Sequence, residues 1–124
     1  MKLTINTKDL LSGIQNVVGV VEKKQTMPIL GHILFELADK KLTLTATDLE
    51  VQIKSYAEAS EAESENVSFT VSGRKVYDII RSLKDEAVNL VLADDKLTIT
   101  TNKSSYRLAT LSTQDFPIFE DKKP

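Results

Sequence analysis

Cysteine is absent from the 124 residues, and histidine occurs once, at His32. Without cysteine there is no disulfide framework, no thiolate nucleophile and no zinc finger. A single histidine leaves one candidate for imidazole acid–base chemistry. It falls in an expected strand, where a lone histidine is more often a surface or packing residue than a base. Glycine is sparse, at four residues, and no GxGxxG, P-loop or GxSxG pattern occurs. No run of about 18 apolar residues is present, so no membrane helix is expected. The opening stretch MKLTINTKDLL has no apolar signal core, and a cytoplasmic protein is the expectation. The missing cysteine fits a reducing compartment.

What remains is an ordinary domain. Apolar residues make up 41% and charged residues 27%, enough to bury a core and stay soluble. A chain this long buries roughly two thirds of its unfolded surface without staples. Net charge is −2, from 16 Lys plus Arg against 18 Asp plus Glu. The sum argues weakly against a nucleic-acid binder. The distribution matters more. Acid gathers at Glu58, Glu61, Glu63 and Glu65, and base at Lys23-Lys24 and at Arg74-Lys75 with Arg81 and Lys84. One part of the surface can therefore be positive.

The chain repeats itself. Residues 37–45 read LADKKLTLT and residues 92–100 read LADDKLTIT, identical at seven of nine positions with an offset of 55. Upstream, Leu3-Thr4-Ile5-Asn6 matches Phe69-Thr70-Val71-Ser72 at an offset of 66. Self-similarity of this kind is the mark of a duplicated unit. The extra residues of the first half are expected between Gly19 and Pro28.

Periodicity assigns the elements. Lys2–Asn6 alternates as a strand. Asn6 or Thr7 caps a helix whose apolar stripe is Leu10, Leu11, Ile14, Val17, Val18 and Val21. Strands are expected at Ile29–Leu37, Leu42–Thr47 and Glu50–Ala59. The second half follows with a strand at Val67–Val71. A helix then starts at Ser72 or Gly73, with Val76, Ile79, Ile80 and Leu83 as its stripe. Three more strands cover Val88–Leu92, Lys96–Thr101 and Ser105–Thr110. The order is β-α-β-β-β given twice, over about 1–60 and 66–111. The fold class is α+β, a single domain with its two helices side by side on antiparallel sheet.

The helix faces turned from the stripes are polar. They carry Lys8, Ser12, Gln15, Asn16 and Gly19 on the first helix, and Arg74, Lys75, Asp78, Arg81 and Ser82 on the second. Such a surface suits phosphate contact without base readout, and it equally describes an ordinary solvated helix. Asp48 and Glu50 form a carboxylate pair across a turn. They could serve a metal-dependent hydrolase, although turn chemistry explains Asp48 as well. No third ligand is suggested, so neither a metal nor a cofactor is expected. The final strand is a candidate sheet edge with Tyr106 and Leu108 on one face. It could bind a peptide in a stand-alone interaction module, or the two side chains could simply be core.

Several stretches together resemble one family. They are Thr26-Met27-Pro28-Ile29-Leu30, Ala46-Thr47-Asp48-Leu49-Glu50, Gly73 through Arg81, and Ser105–Leu111 followed by Asp115-Phe116-Pro117. In this order and spacing they are similar to the N-terminal domain of the bacterial DNA polymerase III beta subunit, the sliding clamp. The resemblance implies a non-catalytic processivity subunit with three such domains per chain. Two chains would form a homodimeric ring around double-stranded DNA, the helices lining the hole. This chain would be the first domain, with Glu120–Pro124 opening the linker onward. DNA contact is implied for Lys24, Arg74 and Arg81. A subunit interface with the third domain of a second chain is implied for Lys75, Ile79, Lys96, Lys103, Tyr106 and Leu108. Ser105 stands where a basic residue can occur, and whether Arg107 supplies that charge stays open here. DNA polymerase III and the clamp loader would bind through domains absent from this chain. The chain alone is then expected to bind no clamp-binding peptide and to close no ring.

Overall fold

The computed structural model describes residues 1–21, 28–62 and 66–117. The first strand, β1 (Lys2–Asn6), runs into α1 (Thr7–Val18). Asn6 ends the strand and caps the helix, its side-chain oxygen accepting from the N–H groups of Lys8 and Asp9. A meander follows: β2 (His32–Ala38), β3 (Lys41–Thr47) and β4 (Gln52–Glu58), then the two-residue β5 (Glu61–Ala62). The second half comprises β6 (Val67–Ser72), α2 (Gly73–Ser82), β7 (Ala87–Ala93), β8 (Lys96–Thr100) and β9 (Ser105–Ala109). Ser72 caps α2 as Asn6 caps α1, accepting from the Lys75 N–H. A cap oxygen is needed there because the first helical N–H groups have no partner within the helix.

The strands form two antiparallel sheets, ordered β5-β1-β7-β8-β9 and β4-β3-β2-β6. Each half thus lends its first strand to the other half's meander. The registers obey the two sequence offsets. Leu3 faces Leu90 and Ile5 faces Val88. Their counterparts Phe69 and Val71 face Phe35 and Ile33. The hairpin pair Leu37–Leu42 likewise corresponds to Leu92–Leu97. The repeated LAD segments end in two-residue turns with positive φ at both residues, 50° and 67° at Asp39-Lys40 and 53° and 60° at Asp94-Asp95. That is the type I′ geometry whose twist matches a two-stranded hairpin.

The two helices pack against each other, and both feed the main core. Leu10, Ile14, Val17, Val76 and Ile80 are fully buried there among Ile5, Phe35, Leu44, Val88, Leu90 and Ile99. The Phe35 and Phe69 rings stack across paired strands at 5.1 Å. A smaller apolar group, Ile29, Leu30, Leu34 and Phe116, lies apart from that core.

This smaller group explains one difference from the expected elements. The strand expected over Ile29–Leu37 begins only at His32, because Pro28–Gly31 is a 3₁₀ turn. Ile29 and Leu30 bury against Leu34, so β2 is covered on both faces and its flanking sequence reads as one apolar run. The strand expected over Glu50–Ala59 is shortened to β4, because Asp48–Val51 close a turn. Among the described residues no helix is long and apolar enough to cross a membrane.

Candidate nucleic-acid and subunit interfaces

All ten polar positions expected on the outer helix faces are exposed. Arg74 and Arg81 stand two turns apart on α2, both open to solvent. The Arg81 guanidinium lies 3.1 Å from Asp78 and sits over the Tyr77 ring at 5.2 Å. With 59% and 51% of the Arg81 and Asp78 side chains accessible, this pair orients the arginine and leaves it available. Exposed pairs of this kind contribute only tenths of a kcal/mol, roughly 0.3–0.5 in helices. Arg74 has no ion-pair partner among the described residues. Lys24 lies outside the described residues. A face of Lys8, Gln15, Arg74 and Arg81 can meet a phosphate backbone without reading sequence.

The β9 strand closes one edge of the five-stranded sheet. Tyr106 pairs with Ile99 and Leu108 with Leu97. Cross-strand partners share a face, and Leu97 and Ile99 are fully buried. Tyr106 and Leu108 therefore point toward the core side, yet both remain partly exposed. They are neither pure core nor pure surface.

The repeat shows why they stay open. The first-half counterparts of Ile99 and Leu97 are Leu44 and Leu42, which pair with Ser55 and Ala57. The counterpart of Ile79, at the helix offset of 66, is Gly13. In that half the three positions are small, and α1 lies close over β4. A Cβ on Gly13 would come within 2.9 Å of Leu44 Cδ1, 3.7 Å of Ser55 Oγ and 4.0 Å of Ala57 Cβ. In the second half the same three positions are Ile79, Tyr106 and Leu108, all large, apolar and half-buried. One copy of the unit is shut and the other is left open. Sequence reasoning misses this contrast, although the two offsets are enough to align the positions.

Cations surround the open edge. Lys96, at the start of β8, pairs with Ala109, and Lys103 sits in the turn to β9. Lys75, from the first turn of α2, lines a cleft of about 250 Å³ with His32, Arg107 and Leu108. Arg107 shares a strand face with Ser105 and so supplies a cation next to the position where serine stands. His32, at the start of β2, lines the same cleft. It is half-buried, and burial holds its imidazole below the usual histidine range, partly offset by a hydrogen bond to Thr70.

The carboxylate pair has a local explanation. Asp48 Oδ1 accepts from the N–H groups of Glu50 (2.9 Å) and Val51 (2.8 Å). Those bonds hold its carboxyl below the ordinary range. Thr47 Oγ1 accepts from Leu49 and donates to the Val51 carbonyl, closing a turn in which Leu49 has φ 80°. Asp48 is thus occupied as a turn residue. Among the described residues no group of three or more His, Asp or Glu side chains converges as a metal site would require.

These features define a class: a twofold-repeated α+β domain with an outward polar helix pair and one sheet edge left unfinished. The sequence model described as DNA polymerase III beta subunit, N-terminal domain, matches residues 1–120. A beta sliding clamp of Vibrio cholerae is 41% identical over 122 residues, 98% of this chain and 33% of the relative. A beta sliding clamp of Vibrio harveyi is 40% identical, covering 98% of this chain and 83% of that sequence. Solved clamps superpose closely. The Pseudomonas aeruginosa subunit bound to griselimycin gives a TM-score of 0.92 at 35% identity, over 99% of this chain and 33% of that one. The Helicobacter pylori clamp bound to a DNA ligase peptide gives 0.92 at 33% identity, over 100% of this chain and 34% of that one. The chain belongs to the DNA polymerase III beta subunit family and corresponds to its N-terminal domain. It spans about a third of most of these relatives' length.

Proposed function

We propose that this chain is the first of three like domains in a cytoplasmic, ring-forming beta subunit that holds DNA polymerase III on double-stranded DNA. Residues 120–124 would begin the linker to the second domain. The α1 and α2 faces look into the hole, with Lys24, Arg74 and Arg81 toward phosphates. The open edge takes the third domain of a second subunit: Ile79, Tyr106 and Leu108 as its apolar centre, Lys75, Lys96 and Lys103 around it. Polymerase and clamp loader bind elsewhere in the longer chain. The Helicobacter pylori relative with its ligase peptide supports such partner binding.

The mechanism is topological. A closed ring does not need tight contacts to stay on DNA, and weak contacts let it slide. Cation–phosphate contacts through water are screened and sequence-independent. Tethering raises the polymerase's effective concentration at the primer end. The clamp itself makes and breaks no bond.

The observation that carries this reading is the contrast between Gly13, Ser55 and Ala57 in the closed half and Ile79, Tyr106 and Leu108 in the open half. In a three-domain chain carrying this domain, Tyr106→Ser with Leu108→Ser should weaken dimerisation about 100-fold or more, as for central interface anchors. Sedimentation would show monomers at concentrations where the parent is dimeric. An unchanged dimer would remove the edge from the interface.

A further inference from the structure

The two sequence offsets also govern how the chain leaves each meander. After β4, the Ala59 N–H donates to the Lys40 carbonyl at 2.8 Å and the Ser60 N–H to the Thr4 carbonyl at 2.8 Å. After β9, the Thr110 N–H donates to the Asp95 carbonyl at 3.1 Å and the Leu111 N–H to the Thr70 carbonyl at 3.2 Å. Lys40 and Asp95 are related by the offset of 55, and Thr4 and Thr70 by the offset of 66. Each exit is thus tied to the turn of its own meander, then to its own half's first strand in the other sheet. The first exit hands the chain on to β5 and β6, where the next unit begins.

The second exit is fastened further. The Thr4 hydroxyl donates sideways to Asn89 at 2.6 Å, whereas the Thr70 hydroxyl donates to the Leu111 carbonyl at 3.2 Å. A hydroxyl has one proton, so Thr70 Oγ1 accepts from His32 Nδ1, 3.1 Å away. His32 thereby leaves the Thr70 proton to Leu111. Both backbone groups of Leu111 are held although the residue is 43% exposed, so hydrogen bonds and not burial keep it in place. Ser112 then caps the 3₁₀ turn Thr113–Asp115, which delivers Phe116 into the small group of Ile29, Leu30 and Leu34. At the offset of 55 the counterpart of Leu34 is Asn89, polar and exposed. Among the described residues this apolar anchor therefore belongs to the second exit.

We propose that residues 110–116 are a clasp that positions the domain following this one, with Thr70 and Phe116 as its positioning residues and His32 behind Thr70. This rests on the reading of the chain as the first domain of a longer subunit. The clasp starts where the β9 edge ends and finishes at the small apolar group. A chain free from Thr110 onward would let the next domain swing on a longer tether, whose reach grows with its length. Fixing the chain as far as Phe116 shortens that tether and sets its origin. The β9 edge and the following domain then move as one arm. Ordering paid for within the subunit is not paid again when two subunits meet, so the clasp favours ring closure by preorganisation.

The test uses a three-domain chain carrying this domain, made monomeric by Tyr106→Ser with Leu108→Ser so that ring closure does not itself hold the domains. Spin labels at the exposed Lys2→Cys and at one exposed site of the second domain report the distance between them. The parent should show a single narrow distance. Thr70→Val with Phe116→Ala should lose it, and Thr70→Val alone should widen it. In the 124-residue chain, Thr70→Val should speed hydrogen exchange of the Leu111 amide about fivefold, the share of one hydrogen bond. Ile14→Val, a change in the main core, should do neither. Faster Leu111 exchange with the distance still narrow would overturn the positioning role. Unchanged exchange would overturn the clasp itself. Equal broadening by Ile14→Val would make the effect one of general stability and overturn the proposal. A serine pair that leaves the dimer intact would sink the β9 reading instead, and Leu111 exchange in the 124-residue chain still decides the clasp.

Discussion

His32 illustrates what a single residue contributes to this fold and what hides it in the sequence. Its partner Thr70 is 38 residues away and its neighbours Lys75 and Arg107 lie on two further elements. No local pattern brings them together. The exposure of Lys8, Gln15, Arg74 and Arg81, by contrast, follows from helical spacing and is legible directly. The histidine also makes a stability prediction. Burial lowers its pKa from the ordinary 6.5, so the unfolded chain binds the proton more readily. Its contribution is fully present above pH 6.5 and is lost as pH falls toward the lower folded value. Thermal unfolding should therefore lose more stability between neutral and mildly acidic pH in the parent than in His32→Gln. Parallel pH profiles would show that the imidazole is not held neutral by the fold.

At the scale of elements, helix docking separates the two halves. Gly13 lets α1 lie close on β3 and β4, whereas Ile79 at the corresponding place on α2 leaves β9 partly uncovered. Gly13→Ile should overpack that contact and cost about 2 kcal/mol or more in denaturant unfolding. Ile79→Gly should cost less, about 1 kcal/mol, from roughly half a kcal/mol of helix propensity and the loss of a half-buried side chain at the core's margin. Equal effects would mean that the two helices dock alike. The repeated LAD turns are legible because the same segment recurs beside alternating apolar residues. The 3₁₀ turn at Pro28–Gly31 is not, since burial on both faces of β2 erases the alternation that marks where a strand begins. The two-residue β5 is too short to show a period at all.

Over the whole molecule, the exchange of β1 and β6 between the meanders joins the halves into one core. Element order alone does not reveal it, because either pairing satisfies the same local patterns. The offsets do carry the register once the pairing is known, as Leu3–Leu90 and Phe69–Phe35 show. The edge is legible as an edge, but its half-buried state is not. That state depends on how far α2 reaches over β9, which periodicity does not encode.

The central claim is that the outer face of the two helices meets DNA through phosphate charge alone. The direct test is titration of short duplexes of unrelated sequence into the 124-residue chain at several salt concentrations, beside Arg74→Ala with Arg81→Ala. The parent should bind weakly, alike for every sequence, and lose affinity steeply as salt rises. The double variant should bind more weakly, with a log–log salt slope shallower by about 1.8, because two fewer phosphates are neutralised. Equal affinity and equal slope for parent and variant would contradict the claim.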